Sequence, residues 1–306
     1  MKILLFFLLI IYLYIIFGFD ITTIKHNKCN YSDWMKKLDK NTLIKDIVFP
    51  GSHDSLTYSS SNINKLWWLP GLNYKINRWG QTQKLSIFRQ LKLGIRCFDV
   101  RIILSEDNKC YGIHTFLFSE LNKAIKDFLK FIKENPYEII IIRYRSYSKC
   151  CDKIFLNKLK KYILPYDENN NVKNMKLSDF YNLNYNIILT SDIKLSKKMN
   201  KYNYPNLVYH DWKNTFSSKE KEEYIKKSLD NFNDENKMFN LDWTLTPQIK
   251  QILLNNSTLI KSAGRFNNKL DNFLQYCNKS IKKINIISID AVNSIDLVKI
   301  IKSNNI

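Results

Sequence analysis

Apolar β-branched runs alternate along this chain with stretches whose apolar residues recur at helical spacing. Strand patterns fall at Lys45–Phe49, Ile95–Leu104, Tyr111–His114, Ile139–Tyr144, Asn186–Thr190, Leu207–Tyr209, Met238–Leu241 and Ile284–Asp290. Between them, Glu120–Glu134 keeps Leu121, Ala124, Ile125, Phe128, Leu129 and Ile132 on one helical face, and Lys153–Ile163, Ser217–Phe232, Pro247–Leu254 and Ser294–Lys302 read as further helices. After the first run, Pro50-Gly51 is expected to stop regular pairing and deliver His53-Asp54 onto a loop. This alternation predicts an α/β fold with a mainly parallel sheet wrapped by helices, and about eight strands predict closure into an irregular (β/α)8 TIM-like barrel. In such folds chemistry collects at the C-terminal ends of strands, where His53, Arg101, His114, Arg145 and Asp290 all fall.

The N-terminus interrupts this picture. Met1-Lys2 leads into an apolar run from Ile3 to Phe19, about 17 residues, so residues 1–19 read as a secretory signal or an uncleaved anchor. Either places the folded part, residues 30–306, in a secretory lumen or outside the cell. The six cysteines (Cys29, Cys97, Cys110, Cys150, Cys151 and Cys277) then meet an oxidising compartment, with no pairing selected by the sequence. No C-x-x-C spacing occurs, which argues against structural zinc. Asn30, Asn255, Asn256 and Asn278 head glycosylation sequons.

A formal charge of +20 over 306 residues, carried mainly by Lys and spread along the chain, favours anionic partners. With no nucleic-acid motif, nucleic acid is not among the expected partners. Leu66-Trp67-Trp68-Leu69-Pro70 follows the His53 loop, and Trp67 and Trp68 beside Lys65 and Lys75 suit contact with an anionic membrane surface as well as packing under their own loop. On the strand pattern Gly94–Arg101, Asp99 and Arg101 project the same way, either as an internal ion pair or as part of a site, because an unpaired buried charge is very costly.

These residues carry a resemblance. Pro50-Gly51-Ser52-His53-Asp54-Ser55, Trp79-Gly80-Gln81-Thr82-Gln83, Gly94-Ile95-Arg96-Cys97-Phe98-Asp99-Val100-Arg101, His114, Asn135-Pro136-Tyr137-Glu138, Trp243-Thr244-Leu245-Thr246-Pro247 and Ile286-Ile287-Ser288-Ile289-Asp290 appear in the order seen in the phosphatidylinositol-specific phospholipase C X-domain family. The chain is similar above all to X-domain-only members and secreted bacterial enzymes. The resemblance implies cleavage of an inositol phospholipid at the membrane interface, giving diacylglycerol and a cyclic inositol phosphate. It implies His53 as general base held by Asp290, His114 with Asp54 as the acid for the leaving group, and Arg101 neutralising the phosphate. Asp99, Arg145 and Asp211 correspond to substrate-contacting positions. Calcium-dependent relatives place an acidic ligand where this chain has Arg101 and Asn where it has Asp54, so no metal and no other cofactor is expected. Thr115-Phe116 follows His114 where relatives commonly have glycine. The rival readings are a non-catalytic head-group-binding protein on the same barrel and a phosphodiesterase for another glycerophosphodiester. The sequence gives no oligomeric state.

Overall fold

The computed structural model describes residues 30–61, 77–254, 257–277, 284–292, 297 and 300–301. The N-terminal apolar run, Cys29, Trp67, Trp68, three of the four sequons and most of the last predicted helix lie outside them.

Among the described residues ten strands form one sheet: β1 (Phe49–Ser52), β2 (Cys97–Leu104), β3 (Cys110–His114), β4 (Phe116–Glu120), β5 (Ile140–Ser146), β6 (Ile187–Ser191), β7 (Asn203–Pro205), β8 (Val208–His210), β9 (Met238–Trp243) and β10 (Ile284–Ile289). Eight of them run parallel in the order β7-β6-β5-β2-β1-β10-β9-β8, and β3 and β4 hang from β2 as an antiparallel hairpin. β7 and β8 are separated only by Asn206 and Leu207. β7 pairs with β6 and β8 with β9. One stretch, kinked at Asn206 (φ 55°), therefore joins the two ends of the curled sheet, and this is the irregularity of the barrel. The expected α/β barrel is the fold observed.

Helices line the outside: α1 (Ile87–Lys92), α2 (Leu121–Glu134), α3 (Lys149–Leu159), α4 (Leu177–Leu183), α5 (Lys197–Asn200), α6 (Ser218–Asn231), α7 (Ile249–Leu254), α8 (Leu259–Asn267) and α9 (Leu270–Cys277). In α2 the predicted stripe is the buried face, except that Phe131 joins it and Leu129 is only half-buried. Phe128 meets Phe98 of β2 edge to face at 5.1 Å, a pairing worth about 0.5–1.5 kcal/mol beyond area burial. On the outer side of β2, the Arg96 guanidinium is buried against Glu138 (Nη2 to Oε2 2.6 Å) and lies over the Phe131 ring. Removing either charge would leave the other buried without its counter-charge, although Arg96 also donates to the Leu91, Ile95, Tyr31 and Ser32 carbonyls.

The pairing at the first strand corrects the sequence expectation. Ile44–Asp46 is a 3-10 turn, tied down by Ile44 N–H donating to Met175 O, and the ladder starts only at Phe49. Pro50 and Gly51 do not stop it; they are the strand. Pro50 accepts from Arg96 N–H, and Gly51 sits opposite Ser288, where a Cβ would come within 2.9 Å of Ser288 Oγ and 3.1 Å of Ile287 O. Only a residue without a side chain lets β1 lie this close to β10.

β4 and β7 escaped the pattern reading. β4 runs without a break into α2, so its apolar residues merge with the helical stripe, and β7 is the polar tripeptide Asn-Tyr-Pro. A disulfide links Cys110 on β3 to Cys151 on α3 across 41 residues, a closure worth about 4 kcal/mol by chain entropy. It fastens the hairpin that carries His114 to the scaffold. Cys97, Cys150 and Cys277 are free thiols.

Candidate active site

Residues that follow β1 and β10 or end β3 converge with Asp99 and Arg101, which lie within β2, at the C-terminal mouth of the barrel. His53 follows β1, and its N–H donates to Ile289 O, which extends the β1–β10 ladder one residue further. Its side-chain Nδ1 lies 2.9 Å from Asp290 Oδ1. A carboxylate only accepts, so Nδ1 carries the proton and Nε2 is the nitrogen turned towards the mouth. There Nε2 is 3.2 Å from Arg101 Nη2 and 3.4 Å from Asp54 Oδ2.

Asp54 and Asp99 are buried, and Arg101 bridges them, with Nε 2.9 Å from Asp54 Oδ1 and Nη2 2.8 Å from Asp99 Oδ2. The two alternatives read for Asp99 and Arg101 thus coincide: the internal ion pair is also a wall of the mouth. Donor atoms of His53, Asp54 and Asp99 lie within 4.8 Å of one another, a grouping that could hold a metal ion. The Arg101 guanidinium hydrogen-bonds Asp99 and forms an ion pair with Asp54 within the same grouping.

On the hairpin, His114 donates from Nδ1 to Gly80 O (2.8 Å), and its Nε2 stands 3.7 Å from Asp54 Oδ2. The two imidazole rings are 6.4 Å apart and steeply inclined, with Asp54 between them.

Electrostatics separate these groups. Burial pulls the His53 imidazolium down, but the Asp54 and Asp290 carboxylates and the hydrogen bond to Asp290 outweigh it, and the group is pushed up to about 9 although Arg101 opposes them. Burial raises the Asp99 carboxyl, yet Arg101, Arg143 and His53 bring it well below the usual carboxylate range. Burial likewise opposes the Arg101 charge, and Asp99 and Asp54 more than restore it, so the guanidinium is fixed. For Asp290 burial prevails, and its carboxyl lies above its ordinary value despite His53.

The Trp79–Gln83 segment holds the backbone that aims these side chains. Thr82 Oγ1 and Gln83 Nε2 both donate to His53 O, Gln83 Nε2 also donates to Ile289 O, and Gln83 Oε1 accepts from Val292 N–H. Three of the chain's non-glycine residues with positive φ directly follow His53, His114 and Asp290: Asp54 (41°), Thr115 (64°) and Ala291 (51°). At each, the strand ends in a left-handed residue, a conformation costing on the order of 1 kcal/mol or more for a side chain such as Thr.

The mouth opens into a cavity of about 340 Å³ whose lining includes His53, Arg101, His114, Asp290, Arg145, His210 and Trp212, with Arg101 and Arg145 as cross-strand neighbours on β2 and β5. Arg145 lies within β5 rather than after it, gripped by Asp192 through Nε (2.8 Å) and Nη2. Asp211 is not in this lining. Its carboxylate accepts from Ser228 Oγ (2.7 Å) and from the hydroxyls of Tyr224 and Tyr209, so it faces α6, and its neighbours His210 and Trp212 line the cavity instead. Strand alternation dictates this: when one residue after a strand turns outwards, those on either side of it turn in. Burial and Arg143 pull His210 down to about 4, against Asp242 and Asp99, so this imidazole is neutral.

The chain is 25% identical over 302 residues to a 1-phosphatidylinositol phosphodiesterase of Listeria monocytogenes, spanning 91% of this chain and 86% of that protein. It is 33% identical over 111 residues to a PI-PLC X-box domain-containing protein of Dictyostelium discoideum. The chain covers only 15% of that relative and 20% of a second Dictyostelium X-domain protein. The solved phosphatidylinositol-specific phospholipase C of Listeria monocytogenes superposes with a TM-score of 0.65 at 24% identity, covering 91% of this chain and all of that one. A Staphylococcus aureus phosphatidylinositol-specific phospholipase C gives 0.63 at 18% identity, covering 90% of this chain and 98% of that one. No family model matches.

Proposed function

We propose that this chain, similar over nine-tenths of its length to a bacterial 1-phosphatidylinositol phosphodiesterase, is itself a phosphodiesterase that cleaves inositol phospholipids by general acid–base catalysis without a metal. The observation that carries the reading is that two imidazoles and one guanidinium all converge on the Asp54 carboxylate.

His53 Nε2 takes the proton of the inositol 2-hydroxyl as that oxygen attacks phosphorus. Asp290 stabilises the resulting imidazolium through the 2.9 Å bond to Nδ1. As the P–O bond to diacylglycerol breaks, His114, protonated and facing Asp54, gives its Nε2 proton to the departing oxygen. Charge gathering on the non-bridging phosphate oxygens meets Arg101, whose orientation is set in advance by Asp54 and Asp99. The products are a five-membered cyclic inositol phosphate and diacylglycerol. Arg145, His210 and Trp212 line the same cavity. Asp99 acts through Arg101, and Asp211, turned to α6, is left out of the site.

Beside the mouth, α7 exposes Ile249, Leu253 and Leu254, and Trp212 is exposed as well. Such apolar surface next to the cavity suits a substrate whose tails stay in a bilayer, and the chain's positive charge suits anionic lipid. Among the described residues no helix is long and apolar enough to cross a membrane. The Cys110–Cys151 disulfide supports export through an oxidising compartment, with residues 1–19 as the targeting segment.

The test is to offer the purified protein vesicles of phosphatidylinositol and of other glycerophospholipids with excess chelator, following phosphorus by NMR. The expected result is a cyclic inositol phosphate signal from phosphatidylinositol alone. Head-group binding without turnover would support the non-catalytic alternative, and release from another glycerophosphodiester would move the substrate class.

A further inference from the structure

The β1–β10 ladder ends where the chemistry begins. It closes with His53 N–H donating to Ile289 O, and past that bond a side chain from another segment holds the two chains together. Gln83 is fully buried, and its carboxamide lies across the gap. Its Nε2 donates to His53 O on the β1 side (2.9 Å) and to Ile289 O on the β10 side (3.1 Å), while Oε1 accepts from Val292 N–H (3.2 Å). Both amide hydrogens and the carbonyl oxygen are thus used, and the side chain forms the next rung of the ladder. Thr82 reinforces it: Oγ1 donates to His53 O (3.1 Å), and the Thr82 carbonyl accepts from Ala291 N–H (2.8 Å). Asn267 Nδ2 donates to the Asp290 carbonyl (2.8 Å).

Two residues need this brace. Asp54 and Ala291 follow His53 and Asp290 in the left-handed region, at φ 41° and 51°, which a residue with a side chain keeps only where its surroundings fix it. Their conformation decides where the chain turns after His53 and after Asp290, and so whether Nδ1 meets the carboxylate at 2.9 Å. An apolar side chain of similar size would fill the space under the strand ends, but it could not bond two carbonyls and an amide at once. We propose that Gln83, assisted by Thr82, is a positioning residue for the base, holding the ends of β1 and β10 at the spacing at which His53 bonds Asp290. The same short segment carries Gly80, whose carbonyl accepts from His114 Nδ1 (2.8 Å), so one stretch of chain sets base and acid relative to each other. The proposal rests on the phosphodiesterase reading for its effect on turnover, whereas the geometry it claims is read by titration.

The test follows the His53 ring by NMR through a pH titration, alongside kcat and KM for phosphatidylinositol and Tm, in the full chain and in Gln83→Met, Thr82→Val and Thr82→Ser. In Gln83→Met the His53 midpoint should fall by about one pH unit, the size of one charge-assisted hydrogen bond, as the bond to Asp290 lengthens. Turnover should fall about a hundredfold, as for a misplacement of about 1 Å, with KM nearly unchanged. Thr82→Val should move both readouts the same way, and Thr82→Ser, which keeps the hydroxyl, should lie nearer the unmodified protein. A Gln83→Met protein that loses Tm while the His53 midpoint and kcat stay put has lost packing alone, and overturns the proposal. If Gln83→Met does not fold, Thr82→Val decides by the same criteria. If the unmodified protein turns over no lipid, the phosphodiesterase reading has failed by itself, and the titration decides the positioning role. A lowered His53 midpoint in the variants then supports that role, and an unmoved one overturns it.

Discussion

Asp290 holds His53 Nδ1 at 2.9 Å while being itself fully buried and turned away from solvent. The pair is built so that the cation on His53 is favoured in the empty site. Because its pKa is raised from 6.5 to about 9, the stabilisation it gives the fold is fully present below pH 6.5 and is lost as pH rises through about 9. The unprotonated base is scarce at neutral pH, so kcat/KM should climb with pH towards about 9. Asp290→Asn removes a charge and a strong acceptor and should move that limb to lower pH while reducing kcat. His53→Ala should cost about 10²–10⁴ in turnover with the fold intact. A pH profile whose limb is the same in both the unmodified protein and Asp290→Asn would show that the limb does not belong to His53.

In the proposed mechanism His114 protonates the leaving oxygen, so its importance should depend on how poor the leaving group is. His114→Ala should lose about 10²–10⁴ with phosphatidylinositol and far less with a substrate that releases a phenolate. Equal losses with both substrates would mean that His114 has another role.

Arg101 stands where three potential metal donors meet. Activity of the unmodified protein should therefore survive excess chelator. Arg101→Ala should abolish most activity and leave Asp54 and Asp99 as an unneutralised buried pair, which recruits a divalent cation measurable by calorimetry. Activity of the unmodified protein that chelator removes and Ca²⁺ restores would overturn the assignment of Arg101.

Gly51 allows β1 to approach β10. Gly51→Ala puts a methyl group 2.9 Å from Ser288 Oγ and 3.1 Å from Ile287 O, and should lower stability by about 1–3 kcal/mol, read as a drop in Tm. Part of the activity should go with it, since His53 is two residues on.

The barrel was legible because its central strands are continuous apolar runs and its major helix keeps one face apolar. The proximity of the candidate residues was legible because strand alternation places Asp99 and Arg101 together and strand ends place His53, His114 and Asp290. Asp211 was misplaced for a related reason. A strand of three residues gives too little pattern to fix the phase of alternation, and His210 and Trp212 face the cavity in its stead. The one available signal was His210 itself, a histidine at a strand end like the other two. Gly51 looked like a strand stop because its need for proximity to Ser288 is a long-range fact, invisible in local propensity. The disulfide partners were likewise set by how the hairpin lies on α3.

The kink at Asn206 has a mechanical meaning. Around the rest of the barrel neighbouring strands are held by rows of hydrogen bonds, but at this one place the ring is completed by the covalent chain, which leaves β6 and joins β9 within a few residues. Asn203 lies on one side of that hinge and His210 on the other. Each arm is held by a ladder of three residue pairs, so the ring closes through two short ladders on either side of the kink and not through pairing of β7 with β8.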